Sequence, residues 1–157
     1  MNAIILFSHG SVLCGAGENL DDVARQMQVR GDAPIVVPGY LNYSDPTFEG
    51  AFARVVQQGA TLVTVVPYFL VAGYFVKSKL TPKIEAMRAR FPHVEVRVAP
   101  AMLDHPRLAD ALLNCAERAQ PPAKWREAWE RAPQFCRASQ ACPLYGTPRC
   151  PATSESL

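Results

Sequence analysis

A single histidine carries the strongest chemical signal in this chain. The segment Ala3-Ile4-Ile5-Leu6-Phe7-Ser8-His9-Gly10-Ser11 reads as a buried β-strand that stops on an imidazole followed by glycine. Side chains at the carboxyl end of a parallel strand project into the crevice where open α/β sheets bind ligands. A neutral imidazole there either ligates a metal and moves a proton near pH 7, or hydrogen-bonds the next loop. Two further strand ends are expected on the same sheet edge. One gives Pro38-Gly39-Tyr40-Leu41-Asn42-Tyr43-Ser44, the other Pro67-Tyr68-Phe69-Leu70-Val71-Ala72-Gly73-Tyr74-Phe75-Val76-Lys77. The latter is uncharged up to Lys77 and rich in aromatics, in a stretch expected to be partly exposed. Tyr68, Phe69, Tyr74 and Phe75 together make a broad apolar wall, suited to a planar organic ligand or to a subunit interface. Phe69 and Leu70 also have a plain core explanation. Gly73 marks a turn or a close backbone approach.

The second signal is a set of thiols. Cys136, Cys142 and Cys150 fall close together, and Cys142 and Cys150 are each followed directly by proline, a presentation resembling that of iron–sulfur ligands. Cys115 is a candidate fourth ligand, which would pin the C-terminal segment to the rest. An iron–sulfur cluster ranks ahead of structural zinc, and unligated thiols remain the plain alternative. Cys14 is a soft ligand or a packing thiol. Of the other imidazoles, His93 reads as a surface residue in a turn, and His105 either caps a helix or reaches the cleft.

The elements that must position these residues follow from periodicity. Segments 3–7, 34–38, 61–67 and 94–98 are rich in Val and Ile without strict alternation, as strands covered on both faces are. Between them, 18–29, 46–58, 81–90 and 105–119 show helical spacing. Phe48, Phe52, Val55 and Val56 share one helix face, and Ile84 and Met87 another. Asp45-Pro46 and Thr81-Pro82 read as helix starts with a capping oxygen before an N1 proline, and Gly31 and Gly59 as helix stops. Four βα units in series predict an α/β fold: a three-layer, mainly parallel, four-stranded sheet. Residues 1–120 are expected to form this domain. Residues 121–157 are expected to be a Pro- and Cys-rich extension with a short helix at 124–130, too poor in apolar residues for a core of its own.

Composition narrows the class. In 157 residues, 49% are hydrophobic and 19% charged, and the net charge is +2. That is a globular balance without a nucleic-acid footprint or a polybasic membrane patch. The apolar run 62–72 is about half of what a membrane helix needs. No signal peptide precedes the first strand, and an odd cysteine count favours free thiols or metal ligands, so a cytoplasmic location is expected.

With these residues in view, the chain resembles the short sirohydrochlorin chelatases, the class II chelatases of cobalamin and sirohaem synthesis. The resemblance lies in Ser8-His9-Gly10-Ser11, in Val65-Val66-Pro67-Tyr68-Phe69-Leu70-Val71-Ala72-Gly73, in Phe91-Pro92-His93-Val94-Glu95-Val96 and in Ala99-Pro100-Ala101-Met102-Leu103-Asp104-His105-Pro106. It implies a flavodoxin-like domain that dimerises around a tetrapyrrole, with His9 receiving metal or pyrrole protons. Two departures stand out. The family usually has a second histidine where this chain has Phe75, and commonly an acidic residue where it has Asn42. Metal insertion must remove two pyrrolic protons and deliver the metal from ligands weak enough to release it. Phenylalanine binds no metal, and asparagine is a weak neutral oxygen ligand.

The expected function is insertion of divalent cobalt, iron or nickel into a tetrapyrrole. His9 is the ligand and proton acceptor, and Ser11, Tyr40, Asn42, Phe69, Tyr74 and Phe75 contact the substrate. The alternative is a non-catalytic tetrapyrrole- or metal-binding redox protein on the same scaffold. The expected partners are a tetrapyrrole and a second copy of the chain, with neither nucleic acid nor membrane.

Overall fold

The Val- and Ile-rich segments become four parallel strands: β1 (Asn2–Ser8), β2 (Ile35–Tyr40), β3 (Leu62–Pro67) and β4 (Glu95–Val98). The computed structural model describes residues 1–11, 19–103, 105–122, 124, 140, 142, 144–147 and 150. Strand order is β2-β1-β3-β4, with every neighbouring pair parallel. Four α-helices accompany them: α1 (Asn19–Val29), α2 (Phe48–Gln57), α3 (Thr81–Arg90) and α4 (Pro106–Glu117). This is the expected α/β architecture.

β1 is central, and its alternating side chains divide between two clusters. Ala3, Ile5 and Phe7 face α2 and α3, packing with Phe48, Phe52, Val55, Ile84 and Met87. Leu6 faces α1 with Leu20, Ala24, Val36 and Tyr40. Helices thus cover both faces, giving the three layers. The connection from β1 runs outward to β2, and the next one crosses back over β1 to β3. The order therefore reverses at β1 and β3, where open sheets place their ligand crevice.

Two helix starts differ from expectation. Helix α2 begins at Phe48, with the Thr47 side chain accepting from the Gly50 N–H (3.2 Å). The Pro46 carbonyl is instead taken by the Tyr40 N–H (3.0 Å), so Asp45-Pro46 prolongs the loop after β2. Thr81 does not cap α3. A π-helical segment, Phe75–Leu80, runs straight into it, Thr81 is itself helical, and its hydroxyl reaches back to the Val76 carbonyl (3.5 Å).

The chain divides into two compact units, one containing β1 to β4 through Leu103 and the other the chain from 104 on. Helix α4 falls in the second unit. Within that second unit α4 buries none of its residues, and Leu112 and Leu113 are exposed. The short helix expected at 124–130 lies outside the described residues apart from Lys124. No helix among the described residues is long and apolar enough to cross a membrane.

Candidate functional site: a strand-end imidazole on an aromatic wall

His9 follows the last residue of β1, and three backbone bonds fix that strand end. Leu41 donates to Ser8 O (2.9 Å), Asn42 to His9 O (3.0 Å) and Tyr68 to Phe7 O (2.7 Å), so the loops after β2 and β3 are laced to β1. Gly10 makes the close approach possible. It has φ +82°, and a Cβ there would lie 1.9 Å from the Asn42 carbonyl oxygen. The buried Ser44 hydroxyl adds a further tie, accepting from the Ser11 N–H (3.1 Å).

The imidazole is half-buried, between two rings. Phe75 lies 4.5 Å away and Tyr43 5.9 Å, both tilted. Its Nδ1 is 3.1 Å from the Gly10 carbonyl. A carbonyl only accepts, so in this contact Nδ1 is the donor, and in the neutral ring Nε2 is then the nitrogen with the lone pair. The plain reading of His9 as a loop-bonding residue thus holds for one nitrogen. The other is left for chemistry.

Of the four rings expected to form a wall, Phe69, Tyr74 and Phe75 come together, and no ring contact among the described residues joins Tyr68 to them. Phe69 bridges core and surface, 5.9 Å from the buried Phe7 and stacked on Phe75 at 6.1 Å. Tyr74 meets Phe75 edge-on at 5.7 Å. Tyr74 and Tyr43 are 62% and 61% exposed, so the wall is an open face. Leu70 and Val71 extend it and are also exposed. The segment after β4 buttresses it from behind, Met102 and Leu103 donating to the Phe69 and Leu70 carbonyls (3.1 and 2.7 Å). Gly73 sits in a tight turn, its N–H on the Val71 carbonyl (2.9 Å), and a Cβ there would make only ordinary contact. Two surface depressions of about 520 and 560 Å³ are lined neither by His9 nor by the rings of the wall.

Tyr40 is a correction. Its side chain is fully buried on the α1 face, and its hydroxyl is 3.3 Å from an Asp21 carboxylate oxygen, so it packs the core instead of meeting a ligand. Asn42 is exposed and takes part through its backbone. His105 is exposed and caps α4, Nδ1 accepting from the Arg107 N–H (3.2 Å), and His93 is an exposed residue beside Phe91. Cys115 is exposed on α4, whereas Cys142 and Cys150 are buried and joined by three successive turns (Tyr145 to Cys142, Thr147 to Leu144, Cys150 to Thr147). Among the described residues no three His, Cys, Asp or Glu side chains come together to hold a metal, so Cys115 does not complete a site with the other two. Cys14 and Cys136 lie outside the described residues.

Tyr43 was missed as a site residue. Its signal was its place beside Asn42 in a strand-end loop, and it adopts φ +63°, uncommon for a residue with a side chain.

A family model decides the relationship: that of CbiX matches residues 3–119. The chain belongs to the CbiX family. It is similar to the sirohydrochlorin cobaltochelatase of Methanocaldococcus jannaschii, 38% identical over 73 residues, which are 46% of this chain and 51% of that one. It is 26% identical over 114 residues to the sirohydrochlorin ferrochelatase of Priestia megaterium, covering 73% of this chain and 43% of that enzyme. The chain thus spans about half the length of the curated relatives it matches. Its fold is similar to that of the sirohydrochlorin chelatase SirB from Bacillus subtilis subspecies spizizenii in complex with cobalt. That likeness has a TM-score of 0.69 at 21% identity, over 81% of this chain and 58% of SirB. A CbiX protein of cobalamin (vitamin B12) biosynthesis from Marinobacter aquaeolei VT8 gives 0.58 at 24% identity, over 75% of this chain and 96% of that one. Of the two positions where the resemblance implies further metal ligands, Phe75 packs beside the His9 ring and Asn42 is exposed.

Proposed function

We propose that this CbiX-family chain inserts a divalent metal (cobalt, iron or nickel) into sirohydrochlorin or a closely related tetrapyrrole. One observation carries the reading: His9 stands half-buried at a sheet switch point, its Nδ1 turned to the Gly10 carbonyl, beside an exposed aromatic wall. The ring of the macrocycle lies against Tyr43, Phe69, Tyr74 and Phe75. His9 takes the incoming metal in its hydrated form, or a pyrrolic proton, and Ser11 and Asn42 bond the periphery. Because only one imidazole serves both tasks, bulk water accepts the second proton. The names of the similar proteins above support the substrate class. The test is the visible spectrum of metal-free sirohydrochlorin with each metal ion and the purified protein. Insertion above the spontaneous rate with at least one of the three is expected, and none with any of them would end this reading.

A flat ring resting on one wall leaves its other side wet. A second copy of the chain supplies a matching wall by two-fold symmetry. The expected solution mass is that of a dimer.

The second reading, a tetrapyrrole- or metal-holding redox protein, is favoured by Phe75. Its ring occupies the place beside His9 that a second ligand would need. In that case Cys136, Cys142 and Cys150 would hold an iron–sulfur cluster, and iron and acid-labile sulfide would accompany the pure protein. Replacing Phe75 by histidine separates the readings. A second imidazole at this separation can share a metal with His9, so cobalt affinity should rise at least tenfold, about 1.4 kcal/mol. Calorimetric titration with Co²⁺ measures it. An unchanged Kd would show that the ring at position 75 does not face the metal.

A further inference from the structure

The π-helical segment has a charge pattern that the metal chemistry does not use. No carboxylate occurs between Glu49 and Glu85, so the wall and the helix that follows it carry only cations. Lys83 pairs with Glu49, but Lys77 and Lys79 are exposed and form no ion pair among the described residues. They are not equivalent. In a helix closed from i to i+5, residues four and five apart share a flank, so Lys79 lies on the flank of Phe75 and Tyr74. Its ammonium is 5.4 Å from the Tyr74 ring centroid. In an α-helix a spacing of five would turn the two side chains well apart. Val76 and Leu80 turn toward the core, and Lys77 falls on the other flank.

We propose that Lys79 is a specificity residue: the π-turn parks its ammonium at the rim of the aromatic wall to bind a peripheral carboxylate of the macrocycle lying on Tyr74 and Phe75. The chain therefore selects flat rings bearing many carboxylates over apolar ones. This rests on the tetrapyrrole reading above and adds the group that reads the ring's edge. The wall supplies area without discrimination, since any porphyrin has an apolar face. A cation poised on an aromatic face is held without a carboxylate partner that the ligand would have to displace.

The experiment titrates the full-length protein with metal-free porphyrins, following their fluorescence. The probes are uroporphyrin (eight carboxylates), coproporphyrin (four) and mesoporphyrin (two). Wild type should bind uroporphyrin tightest, with affinity falling as salt rises. Lys79→Gln should weaken uroporphyrin binding about tenfold and mesoporphyrin binding little, while Lys79→Arg restores it. Lys77→Gln, which removes the same charge from the opposite flank, should change the Kd by less than about twofold. Equal losses in the two Gln variants, or no loss in either, would overturn the assignment to Lys79 while leaving the tetrapyrrole reading in place. Failure of the wild type to bind any of the three would overturn both.

Discussion

Replacing His9 by alanine should slow metal insertion into sirohydrochlorin by about 10²- to 10⁴-fold, the usual worth of a positioned acid–base group. The upper part of that range is expected here. The described residues offer no second imidazole near the wall, so nothing takes over the proton or the metal. Binding of the metal-free macrocycle should be nearly unchanged, because the wall of Tyr43, Phe69, Tyr74 and Phe75 stays in place. The fold should also survive, since the side chain is half-buried and its one hydrogen bond goes to its own neighbour. The measurement is a stopped-flow absorbance trace with Co²⁺ at saturating tetrapyrrole. A rate within about threefold of wild type would remove His9 from the mechanism.

Gly10→Ala should be nearly as damaging, by a different route. The new methyl would sit 1.9 Å from the Asn42 carbonyl oxygen, on a backbone at φ +82°. The left-handed conformation alone costs about 1 kcal/mol for a residue with a Cβ. Relieving the clash means parting the loops after β1 and β2, which gives up the Asn42-to-His9 and Ser11-to-Ser44 bonds at about 1 kcal/mol each. The total, about 3 kcal/mol, corresponds to a fall in Tm of roughly 10 °C for a chain of this size. Insertion should fall by about 10²-fold as well, because displacing a reacting group by about 1 Å has that effect. A thermal melt within 2 °C of wild type would mean that the loops are not packed as described.

The sheet was legible because its signal is redundant. Each strand is a short Val- and Ile-rich run, and each of the first three connections carries an apolar helix face long enough to read. The strand-end histidine was legible for the same reason, since His9-Gly10 directly follows a buried run. Parity explains the misreading of Tyr40. Val36 and Tyr40 are an even number of residues apart in one strand, so both face α1, whereas a ligand contact was assigned from Tyr40's position in the chain alone. The π-helical segment gave no sequence signal of its own. Thr81-Pro82 looks like a helix start, and only backbone geometry shows the preceding turn already wound. Grouping Cys115 with Cys142 and Cys150 relied on residue type, which carries no information on burial: Cys115 is exposed and the other two are buried.

The borders of the sheet carry one further consequence. Backbone donors two residues apart in a strand face the same way, and the Tyr40 N–H already points away from β1 toward Pro46. Pro38 therefore stands where the next outward donor would be, and has none. At the far side β4 is only four residues long, with Arg97 Nε bonded to Glu95 (2.7 Å). Neither margin offers a row of free donors for a foreign strand to zip onto. Newly made molecules crowded together are thereby steered away from fibrillar growth.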